Sequence, residues 1–256
     1  MAVRGIEKKK HIDLIIVFCS VLCLGAINGL FIGFRNEIFG GGDIVSCIFD
    51  VLATAIALGC PILIIEHFTS KKENVLPTSE FSCSEMTKCG LFVLGLGYLF
   101  RIGYAFFVSF LAFVQPQSIK NKGFLVLCLY FVSSVVLPAV LEEVLFREKI
   151  FRVAEEYKFS VLFTSLLFAF SHTNAHSIVN AFVFGLLLQS VFVRTRRLGY
   201  CIIIHFTNNL LAFFSAISDE GSILEKISNS LPYIFAVTFI VYVIVVITGR
   251  KKKHEQ

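Results

Sequence analysis

Residues 124–141 read FLVLCLYFVSSVVLPAVL, an uncharged apolar run that leads directly into Glu142-Glu143-Val144-Leu145-Phe146-Arg147. A helix crossing the hydrocarbon of a bilayer needs about 20 such residues, with a range of roughly 17 to 25. Comparable runs occupy 12–34, 44–65, 90–114 and 231–247, and shorter ones occupy 159–171, 178–193 and 198–214. The chain is 56% hydrophobic and 16% charged, with 29 Phe and a mean hydropathy of +0.81. Soluble domains carry roughly 25% charged residues. Lipid is the solvent that suits so apolar a surface, and the expected fold is an all-α, polytopic membrane helix bundle of about eight transmembrane helices.

Charge placement supports that count. With both termini on the inner side, the inner segments carry 18 of the 23 Lys and Arg. The outer segments carry Arg35, Lys120, Lys122 and Lys226, and Arg101 lies within a span. This asymmetry follows the positive-inside rule, and one miscounted helix would invert every later connector. The location implied is a cell membrane with multiple passes and cytoplasmic termini. The first run follows Lys8-Lys9-Lys10 without a small-residue cleavage site, so it reads as a retained span. The net charge of +5 sits in short clusters between apolar runs, which points to the bilayer and away from nucleic acid. Of the eight cysteines, six lie in apolar runs, while Cys83 and Cys89 fall in a polar connector without zinc-like spacing.

The chain divides by content into transmembrane helices at 1–123, a core carrying the chemistry at 124–215, and a last helix with a basic tail at 216–256. In the core, Glu142 and Glu143 adjoin at the end of an apolar run that carries Pro138. Helical spacing lets Glu143 pair with Arg147 and turns Glu142 about 100° away, where it can act as a base on water. Phe168 and His172 share a helix face in the second segment, and a histidine in so apolar a stretch needs polar partners. His205 and Asn209 share a face in the third, placed to donate hydrogen bonds to an oxyanion. Interfacial charge, a polar clamp between helices, and core packing are the plainer readings of each motif taken alone. His172 and His176 have i,i+4 spacing but lack the intervening Glu of a zincin, so no metal and no cofactor is expected. Ser171 adjoins His172, yet neighbours on a helix point apart, which disfavours a serine nucleophile.

Depth arithmetic leaves a mismatch. At about 1.5 Å per residue, His205 lies roughly 10 Å past the boundary at Arg197 and Leu198. His172 lies roughly 20 Å past Lys158, while Glu142 is expected near the inner face. Convergence requires tilt, a break, or a recessed helix start. Arg101 reads as a counter-charge within the bundle or as a substrate anchor.

The ordered set Glu142-Glu143-x-x-x-Arg147, Phe168-x-x-x-His172 and His205-x-x-x-Asn209 resembles the CAAX protease and bacteriocin-processing (Abi) family of intramembrane glutamic endopeptidases, including type II CAAX prenyl endopeptidases. The resemblance covers roughly residues 124–215. It implies that Glu142 and His172 activate water, that His205 and Asn209 stabilise the oxyanion, and that Glu143 and Arg147 support the local structure. Phe146 fits the aromatic position before the Arg. The implied substrate is a peptide or membrane-tethered protein, and the short connectors suggest a bacterial plasma-membrane member. A non-catalytic scaffold or bacteriocin-immunity protein and a small-solute transporter are the competing classes. Oligomeric state and physiological substrate do not follow from these residues.

Overall fold

The computed structural model describes residues 2–39, 44–69, 81–108, 122–172, 175–218 and 221–254. Among them the chain is all-α: α1 (Ala2–Phe39), α2 (Ile44–Phe68), α3 (Cys83–Val108), α4 (Phe124–Ala154), α5 (Ser160–Phe170), α6 (Ala175–Thr195), α7 (Leu198–Ile217) and α8 (Ile223–His254). Seven of these are long and apolar enough to cross a membrane, which makes the chain a polytopic membrane helix bundle. The exception is α5, whose 11 residues span only about 16 Å. The short sixth and seventh apolar runs become helices of 21 and 20 residues by continuing through polar residues at their ends. Helix α3 starts at Cys83, so Cys83 and Cys89 belong to a helix and not to a connector.

Contacts divide the chain into two compact units. The first holds residues up to 78 and from 121 to 209. Here α1 buries Val17, Val21 and Leu24 on one face, while Ile15, Phe18 and Leu22 stay exposed. Along α2, Ala53, Ala57 and Pro61 recur at every fourth residue on the buried face, and such small residues let helix backbones approach closely. Exposed and buried faces are equally apolar. A helix in lipid satisfies its own backbone and has no polar side to show.

Helix α4 does not end at Leu141. It runs on to Ala154 and contains two wider turns, at Val132–Val136 and Val144–Ile150. In the first, the Leu137 N–H donates to the Val132 carbonyl five residues back; in the second, Phe151 N–H donates to Phe146. The first has a local cause. Pro138 has no N–H to continue the ladder, and the Ser134 hydroxyl donates to the Tyr130 carbonyl at 2.6 Å. Inserted turns of this kind are frequent at functional sites. They bracket Leu137–Glu143, so both carboxylates sit in the interior of a 31-residue helix. The apolar run that ends at Leu141 therefore lies in a helix that continues through the paired Glu143 and Arg147 to Ala154.

Ion pairs gather beyond that point. Lys149 pairs with Glu66 of α2, and Arg196 pairs with Glu155 at 2.8 Å. Arg196 also ends α6 in the left-handed region (φ 54°), and Thr195 Oγ1 accepts the following N–H. Between α5 and α6, Ser160, Thr164 and Ser165 are buried, and the hydroxyls of Thr164 and Ser165 donate to carbonyls of their own helix. Gly185 of α6 fits against Phe168 and Ser165, where a Cβ would come within 3.0 Å of Phe168 Cδ1.

The second unit holds residues 79–120 and 210–256. Its centre is the approach of α8 to Gly95 of α3, where an added Cβ would stand 2.3 Å from Phe239 Cβ. Tyr98 stacks on Phe235 at 6.2 Å, and the Arg101 guanidinium lies 5.1 Å over the Tyr98 ring. Helix α8 begins with a reciprocal cap: Ser222 Oγ accepts the Glu225 N–H, and the Glu225 carboxylate accepts the Gly221 N–H. Replacing Gly95 with Val should lower the thermal stability of the purified protein in detergent by about 1–3 kcal/mol through overpacking. Phe239→Ala in the same chain should recover part of the loss, and equal losses with and without Phe239 would contradict this contact.

Candidate active site

The polar core is assembled by α4, α5, α6 and the first part of α7, all within the first unit. Helix α4 supplies Glu142, Glu143, Phe146 and Arg147. Glu143 is fully buried, and its Oε1 accepts a hydrogen bond of 2.7 Å from His205 Nδ1 on α7. Its other oxygen lies 3.1 Å from Arg147 Nε, whose side chain is only 1% exposed. That N–H is not aligned on the oxygen, so the contact is an ion pair and not a completed hydrogen bond. Glu143 therefore holds a cation from its own helix and an imidazole from α7. The Glu143–Arg147 pairing expected from spacing is present, and the bond to His205 was not foreseen.

Glu142 is 15% exposed, and its Oε2 stands 4.0 Å from His205 Nε2. This is too long for a hydrogen bond but close for a charge interaction. The two nitrogens of one ring thus face two adjacent carboxylates. Because Nδ1 donates to Glu143, a neutral ring presents its lone pair at Nε2 and a protonated ring presents an N–H there.

Phe168 joins the remaining parts. Its ring meets Phe146 at 5.2 Å, His172 at 5.2 Å and His205 at 6.0 Å, each near edge-to-face, and the Arg147 guanidinium lies 4.7 Å from its centroid. Phe184 of α6 closes on His205 at 5.5 Å. The Arg147 cation is thus set over an aromatic face, a favourable placement for a desolvated guanidinium.

His172 follows the last turn of α5. Its Nδ1 lies 3.0 Å from the Phe168 carbonyl, an acceptor only, so Nδ1 carries the proton and Nε2 is left as the basic nitrogen. Ser171 Oγ also donates to that carbonyl, at 2.7 Å, which occupies its proton. Among the described residues His172 makes no hydrogen bond to Glu142; its ring meets that of Phe168, which in turn meets His205. Asn209 is half-buried one turn beyond His205, and its Oδ1 accepts from Asn208 Nδ2 at 3.1 Å, leaving its own amide hydrogens as donors. The side chain of His176 lies outside the described residues. Among those described, no three His, Cys, Asp or Glu residues form a group able to hold a metal ion.

Phe184 was missed by the sequence reading because a Phe among many apolar residues of α6 carries no distinguishing local pattern. Charge removal tests the buried pair. Glu143→Leu and Arg147→Met should each lower stability in detergent by about 3–5 kcal/mol, since each strands a buried charge. The double variant should lose less than the sum, and strict additivity in thermal or denaturant unfolding would contradict the pairing.

Residues 124–211 match the model of a family described as Rce1-like, Type II CAAX prenyl endopeptidase Rce1-like. The match runs from the start of α4 into α7, takes in all three motifs, and covers about a third of the chain. No curated protein and no solved structure matches the chain.

Proposed function

We propose that this chain is an intramembrane endopeptidase of the CAAX prenyl protease type, hydrolysing a peptide bond in a membrane-associated peptide or protein with water as the nucleophile. The observation that carries this reading is the pair of adjacent carboxylates meeting the two nitrogens of His205 inside a membrane bundle. The family match over the same residues supports it.

In this reading Glu142 takes a proton from water as the water oxygen bonds to the substrate carbonyl carbon. Glu142 suits the part because it is the more exposed carboxylate and has no Arg or Lys partner among the described residues, whereas Glu143 is occupied by Arg147 and His205. His172 directs its basic Nε2 at the water and shares the proton. The carbonyl oxygen becomes an anion, stabilised by Nε2–H of a protonated His205 and by the Asn209 amide. The Glu143 carboxylate on Nδ1 fixes the ring with Nε2 turned to the Glu142 side, which is how a residue away from the reacting atoms contributes. Collapse of the tetrahedral intermediate breaks the C–N bond, and the leaving amine receives the proton held by Glu142 and His172. Every step uses the chain's own side chains.

A bacterial plasma membrane with both termini on the cytoplasmic side fits the distribution of Lys and Arg. Reporter fusions after residue 254 should give cytoplasmic signals, and a periplasmic signal would reverse this topology. Catalysis is tested with purified protein and a lipidated peptide panel in detergent. Glu142→Gln should reduce kcat by about 10²–10⁴ and Asn209→Ala by about 10²–10³, with melting temperatures little changed. Cleavage by Glu142→Gln at the wild-type rate would exclude Glu142 as the base.

A further inference from the structure

Gln189 of α6 takes no part in the site just described, yet it is 1% exposed, and neither its Oε1 nor its Nε2 has a hydrogen-bond partner among the described residues. Buried carboxamides are rarely left in that condition. Arg147 shares it: Nε, Nη1 and Nη2 are buried without a completed hydrogen bond among the described residues. Two buried polar side chains on different helices therefore have free hydrogen-bonding capacity of complementary kind, since the guanidinium only donates and the amide oxygen accepts.

The helix register brings them to one level. Glu143 of α4 and Phe184 of α6 both meet His205, and Phe151 of α4 meets Phe192 of α6 at 5.9 Å. These contacts bracket one stretch of each helix, Glu143–Phe151 of α4 and Phe184–Phe192 of α6, and Arg147 lies midway along the first as Leu188 and Gln189 lie near the middle of the second. A second path agrees. Gly185 touches Phe168, whose face carries the Arg147 guanidinium, and Gln189 lies one turn further along the same face of α6.

We propose that Arg147 and Gln189 form the walls of an internal water site between α4 and α6, and that Gln189 is a positioning residue which holds the guanidinium through that water. A buried water typically makes about three hydrogen bonds, and the donors of Arg147 with both ends of the Gln189 amide supply them. The arrangement gives Arg147 anchors on two sides, Glu143 on its own helix and Gln189 across the gap. His205 is linked to it through Glu143. The site does not depend on the peptidase reading, because it concerns the fold of the polar core.

The test is the melting temperature of the full-length protein in detergent for a Gln189 series. Gln189→Met keeps the volume and removes the polar group. It should lower the melting temperature by about 2–4 °C, and Gln189→Glu, which keeps an acceptor of the same shape, should restore it. In an Arg147→Met background the Gln189→Met penalty should vanish; if that background does not fold, the Met and Glu variants still decide. X-ray hydroxyl-radical labelling adds a direct readout. Phe151 and Phe192 are only 3% and 5% exposed and should label in wild type through the adjacent water, with labelling lost in Gln189→Met. A rise in melting temperature for Gln189→Met together with a fall for Gln189→Glu would show an isolated buried amide and overturn the proposal. Unchanged labelling in Gln189→Met would overturn it as well.

Discussion

Glu143 lies fully out of solvent in a chain whose surroundings are apolar, and a carboxylate there is tolerable only with its charge answered on each side. Arg147 answers it along α4, and His205 answers it from α7. The cation in turn rests on Phe168, which ties in α5, and Phe168 fits against Gly185, which ties in α6. Four helices thus receive their register from one buried charge and one aromatic ring. Small changes at these positions would propagate because displacing one buried charge leaves its partner unanswered. Such a core trades apolar stability for defined placement of its polar groups.

The apolar outer faces of α1 and α2 and the charged interior of the polar core are two sides of the same solvent argument. Lipid-facing Ile15, Leu22 and Leu63 need only be apolar, so they carry little information about what they touch. Interior positions are constrained by hydrogen-bond direction and charge. The hydroxyls of Ser134, Thr164 and Ser165 show the solution available to isolated polar groups, which is to donate to a carbonyl of their own helix. Groups that cannot do so, such as Arg147 and Glu143, must find each other. Function and packing therefore draw on the same few residues.

Much of the site was legible in spacing. A spacing of four positions from Glu143 to Arg147, from Phe168 to His172 and from His205 to Asn209 placed each pair on one helix face, and the first two pairs do meet. The helix geometry of α4 was not legible. An apolar run ending at Leu141 looked like the end of a span, because hydropathy does not register a buried ion pair. His205 meets both carboxylates because α4 continues to Ala154 and carries Glu142 and Glu143 well inside it, whereas His172 makes no hydrogen bond to Glu142 among the described residues. The role of Phe168 as the common neighbour of Phe146, His172, His205 and Arg147 was likewise hidden among 29 Phe residues.

By itself the sequence determined that this is a helical membrane protein and which polar residues had to be kept from lipid. Those follow from hydropathy and from the 3.6-residue period, which are local properties of the chain. Only the tertiary structure decided that Glu143 bonds His205 across 62 residues of sequence, and that both carboxylates face one imidazole. That outcome depends on the two wider turns in α4 and on how α7 lies against it, and contacts between helices leave no mark in the spacing within either one.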